Sequence, residues 1–67
     1  MDQQQLRKQT LATLTLLVER YPNLRIAQII GNAIPGDPYY VSDERLAHGL
    51  NTLFVTYTQF EAAGIKP

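Results

Sequence analysis

The chain predicts an all-α fold, a small three-helix domain, on three observations. Apolar residues recur at the helical period in two long segments, start and stop signals flank them, and a proline-rich loop at 35–42 precedes the third helix. The expected helices cover about residues 3–21, 23–34 and 43–63, in a single helical domain spanning 1–67. Threonine, valine and aromatics in TLATLTLLV and NTLFVTYTQF would also suit strands. The helical period fits each segment over a longer span, so helix is the better reading.

In the first helix, a wheel advancing roughly 100° per residue gathers Leu6, Leu11, Leu14, Leu17, Val18 and Tyr21 into one sector. Lys8, Gln9, Thr13, Thr15, Glu19 and Arg20 face away, with Leu16 out of place among them. Pro22 stops the helix, because the residue before a proline is pushed out of the helical region.

Asn23 is the expected N-cap of the second helix. Leu24, Ile26, Ala27, Ile29, Ile30, Ala33 and Ile34 occupy most of its circumference. Arg25, Gln28 and Asn32, at i, i+3 and i+7, form one polar stripe. A helix apolar nearly all round is surrounded by protein. This one is therefore expected between the first and third helices, or in an oligomer interface. Pro35-Gly36 suits a turn with positive φ at the glycine, and Tyr39, Tyr40 and Val41 are available to pack on the helices.

Ser42 is the expected N-cap of the third helix, with Asp43 and Glu44 in the first turn, where the helix dipole favours negative charge. Leu46, Leu50, Leu53, Phe54, Tyr57 and Phe60 make its apolar face, and Val55 is the exception on the polar side. Gly64 is placed for a left-handed C-cap, with Ile65 folding back. Gly31 and Gly49 sit inside helices, at a cost of about 1 kcal/mol each relative to alanine. Both are expected where another backbone comes close, Gly31 together with Ala27.

Composition narrows the function classes. There is no cysteine, which removes disulfides and thiolate metal sites, and His48 is the sole histidine, so neither metal nor cofactor is expected. Six basic and six acidic residues give zero net charge with no run of either sign. Phosphate neutralisation needs clustered Lys and Arg, so nucleic acid is a disfavoured partner, as is an anionic membrane surface. Arg7 and Lys8 before LATLTLLV imitate a secretory signal, but no small-residue cleavage site follows. The run is also far shorter than the roughly 20 residues that span a bilayer. A cytoplasmic protein with no membrane partner is expected. Charged residues are 18% of the chain, against about 25% in an average domain. On so small a body this points to part of the surface being an interface, and a homodimer is expected.

Two candidate sites stand out. The stripe Arg25, Gln28 and Asn32 could recognise a carboxylate or a backbone edge. The heavier reading is structural, with Arg25 paired to Asp37 or Asp43 and the two amides holding loop carbonyls. Asp37, Tyr39, Tyr40 and Asp43, beside Glu44, form an acidic and aromatic cluster. Its spacing does not match a calcium loop. Surface tyrosines can anchor a partner, although two rings packed over the core weigh more. Ser42, the sole serine, lacks a base with an orienting group, so no catalytic residue is assigned and the chain is not expected to be an enzyme.

The pattern PNLRIAQIIGNAI followed by DPYYVSDERL resembles a family of short bacterial and phage proteins without a characterised activity. They share an Arg-x-x-Gln-Ile/Leu-Ile/Leu-x-Asn helix followed by an Asp-x-Tyr/Phe-Tyr-x-x-Asp segment. The matching positions are Arg25, Gln28, Ile29, Ile30, Asn32, Asp37, Tyr39, Tyr40 and Asp43. Ala27 departs from the glycine that the pattern leads one to expect. The resemblance implies that helix and loop act as one unit, and it supplies no catalytic residue.

The leading expectation is a small non-enzymatic protein-interaction module that self-associates. One alternative is a DNA-binding transcriptional regulator with the second and third helices as a helix-turn-helix. Its loop is longer than the three to four residues of that motif, and only Arg45 and His48 offer cations on the third helix. A second alternative is a small ligand-binding protein with its site at a dimer interface and Arg25 as a carboxylate clamp.

Overall fold

A computed structural model describes residues 2–67. The elements are α1 (Gln3–Arg20), α2 (Ile26–Ala33), a single 3-10 turn (Pro38–Tyr40) and α3 (Asp43–Ala62). Among the described residues there is no strand, so the all-α expectation holds.

The two long helices lie side by side and run parallel. Cross-contacts climb both together: Gln3 Nε2 donates to Asp43 at 2.7 Å, Thr13 Oγ1 to Asn51 at 3.3 Å and Arg20 Nε to Glu61 at 3.1 Å. Parallel neighbours require a long return connection, and residues 21–42 supply it. Within that return, α2 has 8 residues, about 12 Å of helix at 1.5 Å per residue. The 20 residues of α3 give about 30 Å, so α2 covers less than half the length of the pair. It leans on α3 more than on α1.

The core is a thin seam. Leu17, Ile29 and Leu50 are fully buried, and Tyr21, Ile34, Leu53 and Tyr57 nearly so. Tyr21 and Tyr57 meet edge to face, centroids 5.1 Å apart, the arrangement that ring quadrupoles favour. Thr10 is also buried, its hydroxyl donating to the Leu6 carbonyl at 2.7 Å. Leu11, on the predicted apolar face of α1, is instead 63% exposed. The short α2 does not reach across to cover it.

Helix ends follow the cap signals, with one correction. Tyr21 leaves the helical region ahead of Pro22 (φ −124°, ψ 69°). The Leu24 N–H then donates to the Tyr21 carbonyl at 3.1 Å, closing a turn over Pro22 and Asn23. That turn delivers Leu24 to the core, so α2 starts only at Ile26 and its N-cap position is Arg25, not Asn23. Ser42 caps α3 as expected, its Oγ accepting from the Arg45 N–H at 3.2 Å. Gly64, at φ +79°, closes α3. The Ile65 N–H reaches the Phe60 carbonyl and the Gly64 N–H reaches that of Glu61, the paired bonds of a Schellman ending.

Two further expectations are overturned. Within the single chain the second helix is not enclosed, which overturns its expected place between the long helices and leaves the oligomer-interface alternative untouched: Ile29 alone is buried within it, and Ile26 is 53% exposed. α1 and α3 touch each other directly, so no space between them remains for α2 to plug, and it lies along one side. Gly31 meets nothing within 4 Å, so it marks no close approach. Gly49 does. A Cβ there would run into the carbonyl of Ala33 and lie 3.3 Å from the Ile34 side chain. The end of α2 rests on the bare backbone of α3 at this point.

Candidate interaction surface

The return segment presents the first candidate surface. Gly36, at φ +80°, turns the chain, and Pro38 enters the 3-10 turn with its φ already set. Asp37 Oδ1 accepts from the Tyr39 N–H at 3.0 Å, while its carbonyl accepts from Tyr40 at 3.2 Å. The Val41 N–H closes the turn on the Pro38 carbonyl at 3.2 Å. The backbone under both tyrosines is thus fixed by local hydrogen bonds.

Their rings do not pack over the core, which corrects the heavier sequence reading. Tyr39 is 84% and Tyr40 81% exposed. They pack edge to face on each other at 5.0 Å. Ile34 and the half-buried Val41 take the inward positions of the segment, leaving none for adjacent rings on a tight turn. Asp43, at the start of α3, bonds Gln3 and lies 4.0 Å from Arg7.

The predicted stripe comes apart. Arg25 sits before the helix in extended backbone, and among the described residues it makes no ion pair with Asp37 or Asp43. Its N–H donates to Gln28 Oε1 at a long 3.4 Å. Asn32 Nδ2 donates to the Tyr57 hydroxyl at 3.0 Å, tying α2 to α3 rather than holding a loop carbonyl.

The cluster that sequence reasoning missed lies at the opposite end. Glu61 accepts from the Tyr21 hydroxyl and from Arg20 Nε and Nη2, the latter two at 3.1 and 3.4 Å. Burial, then the bond to Glu61, holds the Tyr21 phenol above its ordinary pKa. The Arg20 bond, then that from Tyr21, holds the Glu61 carboxyl below its own. Tyr21 therefore keeps its hydroxyl proton across the neutral range and serves as a hydrogen-bond donor to Glu61. These residues border a cleft of about 440 Å³ that Leu24, Ile65 and Lys66 also line. The ion pair joins residues 41 apart in sequence, and only a parallel α1/α3 pair brings them together. The visible hint was Arg20 and Glu61, each placed at the end of its long helix.

Ser42 Oγ is engaged as a cap, and His48 is exposed on α3. Among the described residues no three acidic, histidine or cysteine side chains gather to hold a metal ion. No helix among them is long and apolar enough to cross a membrane. No family model, curated protein or solved structure matches the chain.

Proposed function

We propose that this protein is a small cytoplasmic, non-enzymatic interaction module that self-associates and presents the Tyr39–Tyr40 turn to another protein. One observation carries the reading, the amount of surface left open. The chain of 7.6 kDa exposes 4914 Å², where a compact monomer of that mass exposes about 4,300 Å². The excess, roughly 600 Å², approaches the ~800 Å² that each partner covers in a standard interface. A radius of gyration of 12.0 Å, against about 11 Å for a compact chain of this length, supports the same reading. The exposed residues include Leu11, Leu16, Ile26, Val55 and Ile65, each more than half open.

The tyrosine turn supports the second half of the proposal. Aromatic anchors dominate binding energy when they enter a partner's pocket, and a backbone already held in place loses little freedom on binding. Light scattering over a dilution series tests self-association. The expected result is a mass of two chains that falls toward one on dilution. A mass of one chain at every concentration would overturn it.

A further inference from the structure

The turn that carries Tyr39 and Tyr40 concentrates one kind of chemistry. Their edge-to-face contact covers a single ring face, and most of the remaining ring surface is open to solvent. Aromatic faces carry the negative part of the ring quadrupole and attract cations. Among the described residues none of the chain's own cations lies over either ring; the contact of this kind sets Arg20 on Phe54 instead. Charge points the same way. Residues 37–44 hold three of the six acidic residues and no Lys or Arg. Asp43 is engaged by Gln3 and lies near Arg7. Asp37 and Glu44 are exposed, and among the described residues neither forms an ion pair, not even with the adjoining Arg45. The Tyr39 N–H holds one oxygen of Asp37, which fixes that carboxylate against the backbone that carries both rings.

We infer that the turn docks a partner segment bearing arginine or lysine, the cation lying on a tyrosine ring face with the Asp37 carboxylate beside it and Glu44 adding to the field. The inference rests on the docking role proposed above and names the partner's chemistry. Arginine suits the arrangement best. Its planar guanidinium can stack on a ring while donating to a carboxylate, and it is more weakly hydrated than an ammonium. An anionic segment would meet three carboxylates of its own sign. So would a second copy set turn to turn, since a twofold contact opposes each charge to itself. An uncharged apolar segment would cover the rings but strip water from carboxylates without pairing them, which is costly.

An NMR titration of the full isotope-labelled chain tests it with two probes. One is the peptide acetyl-Gly-Arg-Gly-Arg-Gly-amide; the other replaces both arginines by citrulline, a neutral side chain of the same shape. The expected result is a saturable shift of the amide signals of residues 37–44 with the arginine peptide and none with the citrulline peptide. Signals around Glu19, an exposed carboxylate at the other end of the helix pair, should stay in place. Replacing Tyr39 and Tyr40 together by serine should weaken binding roughly tenfold, whereas phenylalanine at both positions keeps the ring faces and the affinity. Asp37→Asn with Glu44→Gln should weaken it roughly fivefold, and asparagine can still accept the Tyr39 N–H. Equal shifts with both peptides, shifts only outside 37–44, or no shift overturn the cationic partner. Retention of proteins on the immobilised chain separates this failure from that of docking itself. Proteins lost from the serine variant but kept by Asp37→Asn/Glu44→Gln leave docking standing and overturn the cation. Proteins kept equally by every variant overturn both.

Discussion

The parallel α1/α3 pair and the return segment between them are built from the same kinds of residue and end up differently. The pair, with Tyr21 at the C-cap of α1, contributes Leu17, Tyr21, Leu50, Leu53 and Tyr57 to one continuous seam. The return segment contains the most apolar helix in the chain, yet buries only Ile29 within it and Ile34 just after it. Length explains the contrast. An apolar face is covered only where a neighbour runs beside it, and α2 is too short to run beside both long helices. Amphipathic pattern predicts burial for most of the long elements' apolar faces, Leu11 and Phe60 excepted, and overstates it further for a short connector.

The largest expected effect comes from breaking the seam. Leu50→Ala should cost about 2–5 kcal/mol, comparable to the ~3–5 kcal/mol a core of this size supplies. Urea unfolding followed by circular dichroism should then show no cooperative transition. Gly49→Ala acts at the joint between the two regions. The clash with the Ala33 carbonyl should cost about 1–3 kcal/mol, less a gain of up to ~1 kcal/mol from helix propensity. Amide exchange should speed up first in α2, and acceleration spread evenly over α1 and α3 would show that the regions are one unit. Gly31→Ala, facing open space, should instead stabilise by up to about 1 kcal/mol.

The end cluster gives a smaller, pH-dependent effect. Glu61 titrates below its ordinary value in the folded chain. Its contribution is therefore present above the usual carboxylate range and lost as pH falls through the folded value. Tyr21 is shifted up, so its contribution is present below the ordinary phenol range and lost as pH rises through the folded value. Thermal midpoints should form a plateau between these limits, and Glu61→Gln should flatten the acid side. The smallest stability effect belongs to the tyrosine turn. Replacing Tyr39 and Tyr40 together by serine should leave stability within about 0.5 kcal/mol. Proteins retained by the immobilised wild type should be lost from that variant.

Much of the local architecture was legible in advance. The Pro22 stop, the Ser42 cap and the Gly64 ending each depend on a few neighbouring residues, so short-range chemistry decides them. The start of α2 was misplaced because the Leu24–Tyr21 turn competes with an Asn23 cap, and burial of Leu24 decides between them. Both interior glycines carried the same signal, yet only Gly49 meets another backbone. Of the candidate sites, the tyrosine turn was located by its residues but not by its exposure. The stripe through Arg25, Gln28 and Asn32 was a wheel relation that ended where the helix began.

By itself the sequence determined three helices, their stop and cap residues, the scarcity of charge and the absence of thiol chemistry. These follow from backbone sterics, hydrogen-bonding side chains and composition, which act locally or by count. Tertiary structure alone decided that α1 and α3 run parallel, and from that the Arg20–Tyr21–Glu61 cluster follows. Helix direction is set by where a connecting segment can return and what it can cover, and no single helix carries that information.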